Sequence, residues 1–386
     1  PDRADRCQRS LMKINSLYAV NFRNYESCNL QLSSMINVFY GQNAQGKTNL
    51  LEAIFYSAFG MSHRTSAEEE MLKMGADAMA VGVEYASFSG SHEVKIKKYR
   101  QHERWQKEIL LDGARVRPKE HYGALNAVMF SPEDLQLVKG EPALRRRFFD
   151  MQIAQTDPVY YDLLLKYNRV LQQRNRLLKE LRDNGGSPEV LQPWNEEFIR
   201  LAAAIVRRRL AALGKLQAIA GEIYSSITKG SEMLQVRYEQ KANNSTLLYP
   251  QSAAEAAEDF YREQLSERQR LDILRGNTGI GPHRDDLQLL LNGLSLRAFG
   301  SQGQQRSGAL ALKLSQLQYV KNELGEFPVL LLDDVMSELD NSRRAQLLLF
   351  IDGRVQTFIT VNDRELIPEL AGNAYFKISG GSISEA

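Results

Sequence analysis

The stretch that most constrains this chain is GQNAQGKT, Gly41–Thr48. It sets Gly41 and Gly46 five residues apart and follows them with Lys47 and Thr48. Ahead of it INVFYG (36–41) is β-branched and aromatic, the composition of a strand. Behind it TNLLEAIFYSAF (Thr48–Phe59) puts Leu51, Ile54, Phe55 and Ala58 on one helical face. A glycine turn between a strand and a helix lets backbone N–H groups wrap a chain of phosphates, and the helix N-terminus adds positive dipole. Lys47 would then reach the β- and γ-phosphates of a nucleotide, and the Thr48 hydroxyl would bind Mg²⁺.

A second element fits the first. FPVLLLD (327–333) is a nearly unbroken apolar run, the pattern of a strand buried on both faces of a parallel sheet. It ends in Asp333-Asp334. Two adjacent carboxylates leaving an apolar strand repel each other unless a cation is near. Asp333 is assigned to the metal, and Asp334 to the attacking water as base or positioner, making Asp334 and Lys47 the catalytic pair. VQTFITV (Val355–Val361) reads as another buried strand.

Strand patterns also fill 12–40 and 80–130, where Asp112–Arg115 carries a hairpin signal. Between 131 and 276 the period becomes helical. Residues 157–183 follow a three-to-four spacing behind Asp157-Pro158, a cap and a first-turn proline. Helices are also expected over 189–228 and 252–275, the first two forming a hairpin around DNGGSPE. A helix of 27 residues reaches only about 40 Å, so the arm is short and no long coiled coil is expected. The fold class is therefore α/β: an ATPase lobe from 12–130 and 277–386, with a helical lobe, 131–276, inserted. Residues 1–11 are read as a leader, disordered or left over from expression cloning.

Composition excludes several classes. No apolar run approaches the roughly 20 residues of a membrane helix, and the polar N-terminus has no secretory core. Two cysteines, Cys7 and Cys28, make neither a disulfide framework nor a metal site. The chain is read as cytoplasmic, with no membrane partner. Net charge is only +2, but Lys95–Arg182 holds 19 Lys and Arg against 11 Asp and Glu. That excess permits a phosphate-backbone partner and is equally compatible with solvated helix faces. Arg145, Arg146, Arg147, Arg169 and Arg176 are the candidate DNA contacts, with RRR (Arg207–Arg209) and the Lys95–Lys107 strands as further ones.

GSQGQQRSG (Gly300–Gly308) precedes an apolar helix pattern and contributes nothing to a core. Ser301, Gln302, Gly303 and Gln304 offer a serine, backbone N–H groups and a helix N-terminus, a second anion site. SQGQ resembles the signature of the ATP-binding-cassette class, with Gln302 in place of one glycine, and SELD (Ser337–Asp340) resembles its D-loop, with Ser337 and Asp340 at its ends. In that class the signature acts on ATP held by a partner copy. NFRNY (Asn21–Tyr25), SPEDLQLVKGEPALRRRFFD (Ser131–Asp150), GPHRDD (Gly281–Asp286) and LLLDDVMSELD narrow the resemblance to the RecF family of recombination mediators, relatives of the SMC heads.

The resemblance implies an ABC-ATPase head and an ATP-dependent homodimer on duplex or gapped DNA. It implies ATP and Mg²⁺ as cofactors and RecO and RecR as partners. It implies help in loading RecA and a weak, DNA-dependent ATPase. It also implies that Arg23, Asn24 and Asn43 contact the nucleotide. Gln136 is the candidate for the cassette Q-loop. Transporter cassettes carry Glu where Asp334 stands and a His after the VQTFITV strand, where this chain has Asn362-Asp363. Slow hydrolysis is the consequence expected. The alternative is an ATPase subunit of a transporter, which shares loop, signature and carboxylates. A structural DNA linker would need a far longer coiled coil, and a nucleotide kinase has no use for SQGQ. HRD (His283–Asp285) imitates a kinase catalytic loop but lacks the Asn five residues on, so His283 is read as a turn residue.

Overall fold

The computed structural model describes residues 11–385, apart from 33, 244–245, 249–255 and 368–372. Nearly all of the expected leader, with Cys7, lies outside the described residues. Strands β1 (Lys13–Phe22) and β2 (Tyr25–Gln31) form a hairpin, and β3 (Ile36–Tyr40) runs into helix α1 (Lys47–Phe59) through the glycine loop. Next come β4 (Ala78–Ser87), β5 (Gly90–Gln101), β6 (Arg104–Leu111), β7 (Ala114–Arg115) and β8 (Ala127–Phe130). The β6–β7 turn is the expected two-residue hairpin: Asp112 and Gly113 have φ of 50° and 78°, as a primed turn requires.

The chain then enters α2 (Pro142–Thr156), α3 (Pro158–Asn184) and α4 (Gln192–Thr228), followed by β9 (Leu234–Lys241), β10 (Thr246–Leu248), α5 (Ala257–Arg275), β11 (Asp286–Leu291) and β12 (Leu294–Ser295). Asp157 caps α3 by accepting from the Val159 and Tyr160 amides. The 37 residues of α4 span about 55 Å, so the hairpin is a short arm. The last stretch holds α6 (Gln302–Leu324), β13 (Val329–Asp333), α7 (Asn341–Ile351), β14 (Thr357–Val361), β15 (Asn373–Ser379) and β16 (Ser382–Glu385).

Two compact units result, Pro1–Asp134 with Gln316–Ala386 and Leu135–Ser315. The first carries two sheets. One is antiparallel, in the order β2-β1-β4-β5-β6-β7. The other, β16-β15-β3-β14-β13-β8, is parallel except for its edge strand β16. It pairs strands from both ends of the chain. Buried Gln356 ties the sheets together, accepting from the Ile14 amide at 2.6 Å and donating to the Ile14 and Leu32 carbonyls. Helix α1 packs on strands of both sheets, and 11 of its 13 residues are buried. The single apolar face expected for it is therefore too narrow a reading, because a helix between two sheets is covered all round.

The insert ends later than expected, at 315 rather than 276. Strand β11 pairs with β9 inside the insert, in a four-stranded sheet β10-β9-β11-β12. Strand β9 was missed, although LQVRYEQK alternates inward Leu234, Val236 and Tyr238 with outward residues. Among the described residues no helix is long and apolar enough to cross a membrane.

Candidate nucleotide site

The loop Gly41–Thr48 has the shape its glycines allow. Gly41 has φ of 148°, and a Cβ there would stand 2.4 Å from the Ile378 carbonyl oxygen. The Lys47 ammonium folds back over the loop, donating to the Gly41 and Gln42 carbonyls at 2.6 and 2.8 Å and to Asn362 Oδ1 at 2.9 Å. Burial pulls its pKa down, and the charges of Asp334 and Asp333 partly offset this. All three bonds are ones that a triphosphate can replace.

Thr48 Oγ1 donates to Asp333 Oδ1 at 2.8 Å, and Thr360 Oγ1 donates to the same oxygen at 2.7 Å. Asp333 Oδ2 takes no hydrogen bond among the described residues. Burial raises the Asp333 pKa, and the two threonine hydroxyls oppose that rise. A hydroxyl and a carboxylate at one spot are the hard oxygen donors Mg²⁺ takes, so Thr48 and Asp333 fit the ion. Asp334 has left-handed backbone, φ 51°, and its amide donates to Thr360 Oγ1 at 2.9 Å. Ser337 Oγ shares its proton between the Asp334 carbonyl at 2.7 Å and Asp334 Oδ1 at 2.9 Å. Asp340 caps α7 through the Arg343 amide. Asn43 is exposed on the loop.

Arg23 and Asn24 sit beside the loop. Asn24 donates to the Gln45 carbonyl at 3.0 Å and accepts from Asn49 at 2.8 Å. Arg23 forms a bidentate pair with buried Glu52 at 2.8 and 2.6 Å and donates to the Glu70 carbonyl. Burial would raise the Glu52 carboxyl, but bonds from Arg23 and Ser62 hold it below the usual range. Sequence reasoning missed Glu52 and Thr360, and it read Asn362 only as standing where transporter cassettes carry His. Thr360 could have been found from register, since β14 lies parallel to β13 and pairs Thr360 with Asp333.

The signature residues open α6. The Ser301 amide donates to Gln304 Oε1 at 2.7 Å, and the Gln304 amide donates to Ser301 Oγ at 3.2 Å. Gln304 Nε2 donates to Glu232 Oε1 at 2.6 Å. Both ends of the Gln304 side chain are thus engaged in its own unit. Gln302 is the first residue of the helix and Gly303 the second.

The family model described as the RecF/RecN/SMC N terminal domain matches residues 13–379. A DNA replication and repair protein RecF from Halothermothrix orenii is 39% identical over 377 residues, covering 97% of this chain and 99% of that protein. The RecF of Bacillus mycoides is 41% identical over 357 residues, covering 92% and 93%. The chain belongs to the RecF family. Two solved structures are similar along 97–98% of this chain, described as the recombination mediator protein RecF with ATPrS and with ATP in the RecFOR pathway. Each has a TM-score of 0.88, at 32% and 33% identity. An SMC head domain from Pyrococcus furiosus shares the fold, at a TM-score of 0.55 and 15% identity over 97% of the chain.

Within this RecF-family chain the basic residues need sorting. Arg145 is buried and makes a bidentate pair with Asp286 at 2.7 Å, with further bonds to the Leu137 and Gly140 carbonyls. Arg146 donates to the Asp285 carbonyl at 2.7 Å and is half-buried. Arg145, buried with its donors satisfied inside the fold, has none left for a phosphate and is not proposed as a DNA contact, whereas Arg146 uses a single donor on the Asp285 carbonyl and keeps the others. Arg147 is exposed on the same helix. Arg207 and Arg208 pair with Glu258 and Asp157, and buried Arg209 pairs with Asp150. Lys98 and Lys107 are drawn to Glu68. Arg169 is exposed with no bond among the described residues, and Arg176 is exposed beside Glu180. His283 is a half-buried turn residue, bonded to Tyr167 and to the Thr278 carbonyl.

Proposed function

We propose that this chain is an ATP-operated DNA-binding protein of recombinational repair and replication restart. In this reading ATP joins two copies on duplex or gapped DNA, and the dimer works with RecO and RecR to assist RecA loading in the cytoplasm. Relatives bearing the RecF name are called DNA replication and repair proteins, and both similar solved structures are placed in the RecFOR pathway. The observation that carries the reading is the pair of hydroxyls, Thr48 and Thr360, converging on Asp333 beside Lys47. That is a prepared seat for a metal–triphosphate and little else.

On binding ATP, Lys47 exchanges its loop carbonyls for phosphate oxygens, and the Gly41–Gly46 backbone wraps the chain. Thr48 and Asp333 would hold Mg²⁺, which would supply positive charge to neutralise the phosphates. Asp334 accepts a proton from or orients the attacking water. Ser301 of one copy meets the γ-phosphate bound by the other, with Gln302 and Gly303 supplying backbone. Hydrolysis is slow, below about 1 s⁻¹, because Asn362 stands where transporter cassettes carry His and Asp334 is shorter than their Glu. DNA makes the turnover conditional.

The test is duplex-DNA binding by fluorescence anisotropy, with and without ATP, across several salt concentrations, with Lys47→Ala alongside. ATP should tighten binding, salt should weaken it steeply, and Lys47→Ala should abolish the ATP effect alone. DNA binding that ignores ATP in the unaltered chain would sink the proposal.

A further inference from the structure

The turn joining α4 to β9 holds a carboxylate with no role in the site described. Glu232 Oε1 accepts from Gln304 Nε2 at 2.6 Å, and its Oε2 accepts from the Tyr224 hydroxyl at 2.9 Å. Tyr224 is fully buried in the last turns of α4. The carboxylate is therefore pinned on both oxygens, one to the body of the insert and one to the signature.

A terminal amide is a loose two-way rotor whose oxygen and nitrogen ends exchange readily. A carboxylate accepts and cannot donate, so Glu232 tolerates only the NH₂ end of Gln304. That choice turns Gln304 Oε1 toward the Ser301 amide, where the bond is 2.7 Å. The reciprocal bond, Gln304 amide to Ser301 Oγ at 3.2 Å, then occupies a lone pair of the serine oxygen. The serine proton makes no hydrogen bond among the described residues and is left to donate outward.

We infer that Glu232 is a positioning residue for the signature serine, acting through Gln304. Gln304, which resemblance to the cassette signature placed on the nucleotide, is instead a strut between Glu232 and Ser301. The negative charge stands behind the amide, so it orients the turn without meeting the phosphate. This inference rests on the reading that the signature serves ATP bound by a second copy.

The test uses the full chain with Mg²⁺ and ATP. Glu232→Ala should leave ATP affinity at its own loop within about twofold, while ATP-driven dimerisation and turnover fall about tenfold. Glu232→Gln keeps an acceptor for Gln304 and should restore most of both. Mixing Glu232→Ala with Lys47→Ala in equal amounts pairs an intact loop with an intact signature in the mixed dimer. Such a mixture should reach about a quarter of the unaltered turnover, because half the dimers are mixed and each has one whole site. A merely unstable Glu232→Ala chain could not be complemented this way.

The control is the same mixture made with Ser301→Ala. If that control complements and Glu232→Ala turns over like the unaltered chain, or loses affinity at its own loop, or fails to complement, the inference is overturned and the signature reading stands. If the Ser301→Ala mixture fails as well, the signature does not act across copies and both fall.

Discussion

Gly46 has φ of 114°, and a Cβ there would stand 2.6 Å from Asn24 Nδ2 and 2.8 Å from the Tyr25 hydroxyl. Tyr25 donates to the Gly46 carbonyl at 3.1 Å, so neither neighbour is free to retreat. Gly46→Ala should add about 1–3 kcal/mol of local strain and weaken ATP binding roughly 10- to 100-fold, read by calorimetry against an unchanged circular-dichroism spectrum. Asp333 supplies a second prediction. Its raised pKa means the folded chain holds the proton more tightly than the unfolded one. The stability this gives is present at low pH and lost as pH rises through the raised value, so above that value the ionised carboxylate is destabilising until a cation arrives. Asp333→Asn should therefore keep or raise the melting temperature without nucleotide, and shrink the increase that Mg-ATP produces, both read by scanning fluorimetry. At this scale Gly41, Gly46, Lys47, Thr48 and Asp333 were legible because motif spacing encodes them. Thr360 was not, since it enters only when β14 is laid against β13.

Elements were legible where one period ran long. Helix α3 matches its pattern to within a residue at each end. Strand β9 was hidden by its short polar alternation inside a helical stretch, and its partner β11 was then given to the wrong unit. Burial of that pair has an acid–base consequence. Burial pushes Asp285 up to about 7, against opposing bonds and charges from Tyr238 and Arg209, while burial takes His283 down to about 4. The Asp285 contribution is present at low pH and lost as pH rises toward 7. The His283 contribution is present above the ordinary imidazole value and lost as pH falls toward 4. Between pH 4 and 6.5 the two slopes oppose. Asp285→Asn should unmask the histidine slope, so that stability to urea climbs with pH in that window by up to about 1.4 kcal/mol per unit. A profile as flat as that of the unaltered chain would refute this.

For the whole molecule, the inserted lobe was legible as a change of period, while its charge was misleading. Consecutive arginines in LRRRFF looked like a phosphate-binding run, yet Arg145 faces Asp286 and Arg146 the Asp285 carbonyl. Sequence cannot tell a guanidinium that meets its partner inside the fold from one that meets solvent. Two substitutions separate the cases. Arg145→Ala strands Asp286 and should cost about 3–5 kcal/mol in chemical denaturation. Arg169→Ala should leave stability alone and lower the salt slope of DNA binding by about 1; an unchanged slope would remove α3 from the DNA surface.

The parallel sheet also dictates an order of assembly during synthesis. Thr48 and Asp333 are 285 residues apart, and Lys47 and Asn362 are 315 apart. At the pace of a ribosome, Thr48 waits roughly 15–60 s for its carboxylate. The insert ends at Ser315, shortly before β13, and it is a compact unit whose sheet closes within itself. A nascent chain can thus finish its middle first and acquire the ability to hold ATP only at the end. A chain cut short between α1 and β13 carries the glycine loop without the carboxylate that Thr48 meets, so only a finished copy brings the two together.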